Sequence, residues 1–392
     1  MSKVDAAADD GLCQHWLTNA GIERETDRSH HGSATLSRTS VPAVQRRRFA
    51  SALIALGAAL ALAALASACH GGKPSLGVAG LAFTRTDGHH SSIWVAKTDG
   101  SDARQIAAHA FAGTLSPDGR RVAYSLPQDT PDSGLTPLYV VDVESGEPRR
   151  IDEASGYAWS RDGARLAVSD GKALVLLDVT SGRRRELVRS GDVVGLSFAP
   201  DGKALAYSRH NGRVGHEYRS DIFVIRLSDG EIEQLTHDGH SDRPVWGRGR
   251  LAYRHFRFDG DWSIGELRLM RPDGSGTRLF ARGNEDTSQA QMGLDPLEFS
   301  EDGKRLLACA VSEFYCPPVT FTVPGGAKRE LSVGDQGIRV VQAWDLARDG
   351  TEVLVDAGAF DDDTHHRVYA IPFEGGKPRL LVRDATSPSW AH

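Results

Sequence analysis

From residue 78 onward the chain alternates short apolar runs with glycine-bearing turns. Leu115-Ser116-Pro117-Asp118-Gly119 leads into Arg120-Arg121-Val122-Ala123-Tyr124-Ser125, and Phe198-Ala199-Pro200-Asp201-Gly202 leads into Lys203-Ala204-Leu205-Ala206-Tyr207-Ser208. In both, an Asp-Gly turn separates a short apolar strand from an alternating one. The same turn recurs around Gly163, Gly303 and Gly350, and in a degenerate form around Gly249. Asp-Gly between alternating runs predicts a hairpin, because glycine accepts positive φ. A second turn follows strands such as Leu138–Val143 and Ile222–Ile225, with glycines at 100, 146, 182, 230, 274, 326 and 376. The two-turn unit repeats every ~36–54 residues, a period at which stacked repeat architectures are built.

The second turns outnumber the first by one. The first unit begins at Leu81-Ala82-Phe83 without an opening strand, and Ala385-Thr386-Ser387-Pro388-Ser389-Trp390 has the character of one with no unit after it. The pattern therefore predicts an all-β fold: a seven-bladed β-propeller of four-stranded antiparallel blades. Its ring is closed by the C-terminal strand completing the first blade, which leaves no open edge at the seam. Pro244-Val245-Trp246, Tyr157-Ala158-Trp159-Ser160, Ser116-Pro117-Asp118-Gly119 and Ser387-Pro388-Ser389-Trp390 resemble TolB-type propeller repeats over residues 78–392. That resemblance implies the fold and leaves the activity open, since propellers host many functions. The α/β domain that precedes the propeller in TolB-type proteins has no counterpart in the sequence.

The N-terminal part has a different pattern. Residues 1–40 are polar and aperiodic, which reads as a disordered extension or a mis-assigned translation start. Residues 41–68 read as a signal peptide: Arg46-Arg47-Arg48 precedes an uncharged Ala/Leu run from Ala52 to Ala66, too short to span a membrane comfortably. Leu65-Ala66-Ser67-Ala68-Cys69 resembles the lipobox of bacterial lipoproteins, which implies a lipidated Cys69, with residues 69–77 as lipidated N-terminus and linker. The expected location is the outer face of the cytoplasmic membrane. Cleavage after Ala68 to a secreted soluble protein is the alternative, and the triple arginine leaves Sec and twin-arginine export open.

Composition narrows the partners. Net charge is −6, with 46 basic and 52 acidic residues, so no basic field attracts nucleic acid. Of four cysteines, only Cys309 and Cys316 fall in the repeat region. A hairpin centred between Ser312 and Glu313 would mirror them and predicts a disulfide in an exported protein.

Antiparallel alternation sends the longer connections to the ring face opposite the short turns. These are Pro127–Pro137, His210–Arg219, His255–Gly265, Gly283–Pro296, Ser312–Pro318 and Ala357–His366. They carry His216, Tyr218, Phe256, Phe258, Trp262, Phe314, Tyr315 and Phe360, a candidate binding face that competes with a simple capping role for the same aromatics. Asp361, Asp363, His365 and His366 are weak metal candidates without calcium-loop or zinc spacing, and a solvated loop is the favoured reading. His210, His216, His237, His240 and His255 also gather in sequence. Some lyases of polysaccharide breakdown resemble these propellers and hold a metal with several histidines, but structural roles are the default. There is no Gly-x-Ser-x-Gly elbow, and the glycines belong to hairpin turns, not a phosphate loop.

The expected function is a non-enzymatic binding or scaffolding propeller of the cell envelope, monomeric, without a cofactor. Its partner would be an envelope protein, a glycan or a small ligand. The alternative is an extracytoplasmic metal-dependent polysaccharide lyase.

Overall fold

The computed structural model describes residues 77–392 except 88–89, 128–133, 190–192, 215–216, 260–261, 284–290, 313–314, 326–327, 335–338 and 359–364. Cys69 and the N-terminal segments lie outside the described residues. The described chain is all-β, without helices, and is built from four-stranded antiparallel units. The first unit contains β1 (Leu81–Asp87), β2 (His90–Ala96) and β3 (Arg104–Ala108). The second contains β4 (Phe111–Leu115), β5 (Arg121–Ser125), β6 (Thr136–Asp142) and β7 (Pro148–Ala154). The third contains β8 (Gly156–Trp159), β9 (Arg165–Ser169), β10 (Leu174–Asp178) and β11 (Arg184–Val188). Next come β12 (Val193–Phe198), β13 (Ala204–Val214), β14 (Glu217–Arg226) and β15 (Ile232–Gln234). They are followed by β16 (Ser241–Gly247), β17 (Arg250–Asp259), β18 (Trp262–Met270) and β19 (Arg278–Arg282). The next unit is β20 (Gln291–Phe299), β21 (Arg305–Ser312), β22 (Pro318–Thr322) and β23 (Lys328–Glu330). The last is β24 (Arg339–Leu346), β25 (Glu352–Gly358), β26 (Arg367–Pro372) and β27 (Arg379–Arg383). The final strand, β28 (Thr386–Trp390), returns to β1, pairing Leu81 with Trp390 and Ala82 with Ser389.

Two units merge into an eight-stranded sheet through one parallel bridge between Gly265 and Gly293. The glycines permit it: a Cβ on Gly293, where φ is +111°, would lie 2.2 Å from the Gly265 carbonyl oxygen. The core lies between consecutive units. Leu81, Phe83, Leu354, Val368 and Trp390 form one such cluster, joining the last unit to the first. Each β-rich face therefore buries its alternating apolar residues against a neighbour, which is where the stability of the fold resides.

Two of the expected long loops are strands. His210–Arg219 and His255–Gly265 continue the β13–β14 and β17–β18 hairpins, with Val214 opposite Glu217 and Asp259 opposite Trp262. A hairpin satisfies its own backbone bonds whatever its side chains, so polar residues such as Arg209–Arg213 hid the strand from an apolar-alternation reading.

Cys309 and Cys316 form a disulfide with Cα atoms 5.0 Å apart, but the register differs from the expected one. The ladder pairs Cys309 with Pro318 and closes with Ser312 N–H donating to the Tyr315 carbonyl. The hairpin centre is therefore one residue later, between 313 and 314. Pro317 and Pro318 have no N–H, so they enter the ladder as acceptors: Ala310 donates to Pro317. Cys316 instead forms a bridge to Gln342 of β24.

Candidate functional site

The opening strand of most units ends in a turn whose chemistry explains the Ser-x-Asp-Gly motif. In three turns the serine hydroxyl donates to the aspartate two residues on: Ser116 to Asp118, Ser160 to Asp162 and Ser300 to Asp302, at 2.5–2.7 Å. The same hydroxyl accepts the N–H of Arg121, Arg165 or Arg305 at the start of the next strand. Gly119, Gly163 and Gly303 supply the positive φ that brings the chain round.

Just before each turn, strand register singles out one equivalent position per unit. It is small or apolar in five units, as Thr114, Ala158, Ser197, Val245 and Ser389, and acidic in two, as Glu298 and Asp345. All line one cavity of about 500 Å³, to which, among the described residues, β4, β8, β12, β16, β20, β24 and β28 contribute. The cavity runs from Ser125 and Thr136, where longer connections begin, to Pro117 and Arg161 at the short turns. Trp159, Trp246, Trp344 and Tyr157 add aromatic wall. Trp159 is oriented by its Nε1–H donating to the Thr114 carbonyl, 3.2 Å away. The Tyr157 hydroxyl lies 3.2 Å from Thr114 Oγ1, and burial pushes its pKa up to about 12.

The polar members of this ring join neighbouring units. Ser389 Oγ accepts from Leu115 N–H, Ser197 Oγ from Trp246 N–H, Glu298 Oε2 from Leu346 N–H and Asp345 Oδ2 from Trp390 N–H. In each case the donor is on the next opening strand, so a backbone N–H on the edge strand of one unit is satisfied by the unit before it. Glu298 and Asp345 keep a second oxygen, and His392 meets both. Its Nε2 is 2.9 Å from Asp345 Oδ1 and 3.7 Å from Glu298 Oε1. Burial opposes the charge on His392, but attraction to Asp345 and Glu298 outweighs it and raises the imidazole to about 10. Burial, followed by the nearby Asp345 charge, raises Glu298 to about 8. Burial works against Asp345 ionisation too, yet His392 and the hydrogen bonds hold its carboxyl below the usual range.

Among the described residues, Glu298, Asp345 and His392 are the set whose ligand atoms converge, all within 4.8 Å. One imidazole and two carboxylates are a donor set that a divalent cation can use. In this structure the three groups pair with one another as an ion-paired latch. It lies at the short-turn end of the cavity, opposite the face expected from sequence.

The expected long-loop set is not brought together among the described residues. Phe256 is 5% exposed and packs beside His240 and Arg254, so it caps the sheet and offers no open surface. Tyr315 is partly buried, with its N–H on Ser312 Oγ. His216, Phe314 and Phe360 lie outside the described residues, as do the side chains of Tyr218, Phe258 and Trp262. Of the weak metal candidates, Asp361 and Asp363 lie outside as well. His365 is exposed whereas His366 is buried, with Nδ1 3.9 Å from Asp356 Oδ2. His255 stands 3.4 Å from both Ser241 Oγ and Asp238 Oδ2, and burial lowers its pKa. Sequence reasoning missed His392 and its two acids, which stand 47 or more positions apart in the chain. The one available signal was an acidic residue at the ring position of two successive repeats.

No protein-family model matches the chain. A stretch of 199 residues is 26% identical to the uncharacterized peptidase YuxL of Bacillus subtilis, covering 48% of this chain and 26% of that protein. The match thus spans about a quarter of the relative's length. Among solved structures, the β-propeller domain of the Trilobed protease from Pyrococcus furiosus aligns with a TM-score of 0.54 at 13% identity. That alignment covers 78% of this chain and 96% of the domain. An oligogalacturonate lyase in complex with manganese aligns with a TM-score of 0.53 at 13% identity, over 79% of this chain and 86% of the lyase. At such identities the likeness concerns architecture alone, and with the antiparallel four-stranded units it shows that this chain has a β-propeller fold.

Proposed function

We propose that this chain is a seven-bladed, TolB-type propeller, closed by β28 against β1, that serves as a non-enzymatic binding module. On this reading it is exported and held at the outer face of the cytoplasmic membrane by a lipid on Cys69. It takes a small ligand, or the narrow end of a glycan or envelope protein, into the cavity between its opening strands. The observation that carries the proposal is the cavity itself: about 500 Å³, walled by tryptophans and hydroxyls, and lined by β4, β8, β12, β16, β20, β24 and β28. That volume is in the range of sites that enclose a compact ligand. The ionisable groups at its turn end are engaged with one another, which suits recognition better than proton transfer. The peptidase name of the relative belongs to a protein four times longer than the matched stretch, and it is not carried over.

The test is a crosslinking pull-down from membranes with wild type and an Ala158→Trp variant, which fills the cavity from a ring position. The expected result is partner recovery with wild type and its loss in the variant, at an unchanged melting temperature. Equal recovery would refute the cavity reading.

A further inference from the structure

The turn end of the cavity has a rim that can be read residue by residue from the turn geometry. In each four-residue turn the last residue's N–H returns to the carbonyl of the first, from Ser116, Ser160, Ala199, Ser300 or Ala347. The second residue of each turn therefore occupies an equivalent place around the opening. It is proline in two turns, Pro117 and Pro200, and Glu301 in a third. It is arginine in two more, Arg161 and Arg348, and Arg248 leads the shorter turn between Trp246 and Leu251. His392 completes the set beside Pro117, to whose carbonyl its backbone N–H donates. Pro117, Arg161, Glu301, Arg348 and His392 all line the cavity.

Arg348 engages Glu301 with two hydrogen bonds, of 2.9 and 2.7 Å. That pairing, with weaker attraction from Arg161 and Arg248, holds the Glu301 carboxyl below its usual range. Glu301 thus interacts with three guanidinium groups, Arg348 most closely. Asp345 is spent on His392, and among the described residues no carboxylate forms an ion pair with Arg161 or Arg248. Arg161 is half-buried at the cavity wall, where an unpaired cation keeps much of its attraction for an anion. A planar guanidinium suits bidentate contact with carboxylate or phosphate oxygens.

We propose that the turn-end mouth binds an anionic group, a carboxylate or a phosphate, at Arg161, with the uncharged body of the ligand in the cavity behind. This rests on the cavity reading above and adds the chemistry of the ligand's charged end.

The test is thermal-shift and calorimetric titration of the purified protein with succinate and with inorganic phosphate, at constant ionic strength set by chloride. Succinamide is the neutral control. The expected result is saturable binding of at least one of the two anions and none of succinamide. Arg161→Gln should weaken binding about tenfold or more, as loss of a charge-assisted contact implies. Arg183→Gln, on the outer side of its unit, should leave binding unchanged. Absence of anion binding beyond chloride, or equal binding by Arg161→Gln and wild type, would overturn the proposal. Failure here with Ala158→Trp still abolishing partner capture would leave the cavity reading standing.

Discussion

The backbone N–H of Trp390 donates to Oδ2 of Asp345 across 2.7 Å, joining the final strand to the unit that precedes it around the fold. The other oxygen of Asp345 holds the His392 imidazole. One buried carboxylate thus satisfies an edge-strand backbone donor and a buried cation together.

Asp345→Ala should therefore cost more than a surface change. It strands the Trp390 N–H and leaves His392 without its main counter-charge, for a loss of about 3 kcal/mol. Asp345→Asn retains an acceptor for Trp390 and should lose less. Urea titration followed by tryptophan fluorescence measures both. Equal midpoints for wild type and Asp345→Ala would show that the latch contributes nothing.

The latch also gives stability a pH dependence with a definite sign. His392 has a folded pKa of about 10 against an ordinary 6.5. Its contribution is full below the ordinary value and is lost as pH rises through the folded one. Glu298, about 8 against 4.5, acts in the same direction across a lower window. Asp345, held low, gives a contribution lost only on acidification. Stability should fall as pH rises from the ordinary glutamate value of 4.5 to about 10, and the fall should be smaller in Glu298→Gln. A Glu298→Gln profile parallel to wild type would contradict the assignment.

Cys309 and Cys316, both buried, close a short loop whose far end bridges to Gln342 in the next unit. Alkylation without reduction should leave both unmodified in mass spectra. Replacing both with alanine should cost about 2–3 kcal/mol in the chain-entropy picture. Two alkylated thiols in the exported protein would exclude the bridge.

For Cys69, substitution by alanine should abolish the lipid-bearing mass and release the protein from the membrane fraction. Identical fractionation and mass for Cys69→Ala and wild type would exclude the anchor.

The repeat was legible because turn chemistry is local. Ser116, Asp118 and Gly119 contact residues within five positions, so their pattern survives in sequence. The final strand, which pairs with β1, was legible for the same reason, as a further copy of Pro-x-Trp. The extended β13–β14 hairpin was not, because its outer pairs carry no apolar alternation. The site was least legible. Asp345 and Trp390 are far apart in the chain, and only strand register shows that Glu298 and Asp345 hold a place taken by Thr114 and Ser197 in other units. Phe256 misled because aromatic character alone does not separate a cap from a contact surface.

The most direct measurement of the central claim is site-specific photocrosslinking in intact membranes, with a photoreactive side chain placed at Thr114 in the cavity wall or at exposed Leu279 on an outer strand. Crosslinks to a ligand or partner from position 114 and none from 279 is the result the cavity account predicts; crosslinks from 279 with none from 114 would contradict it.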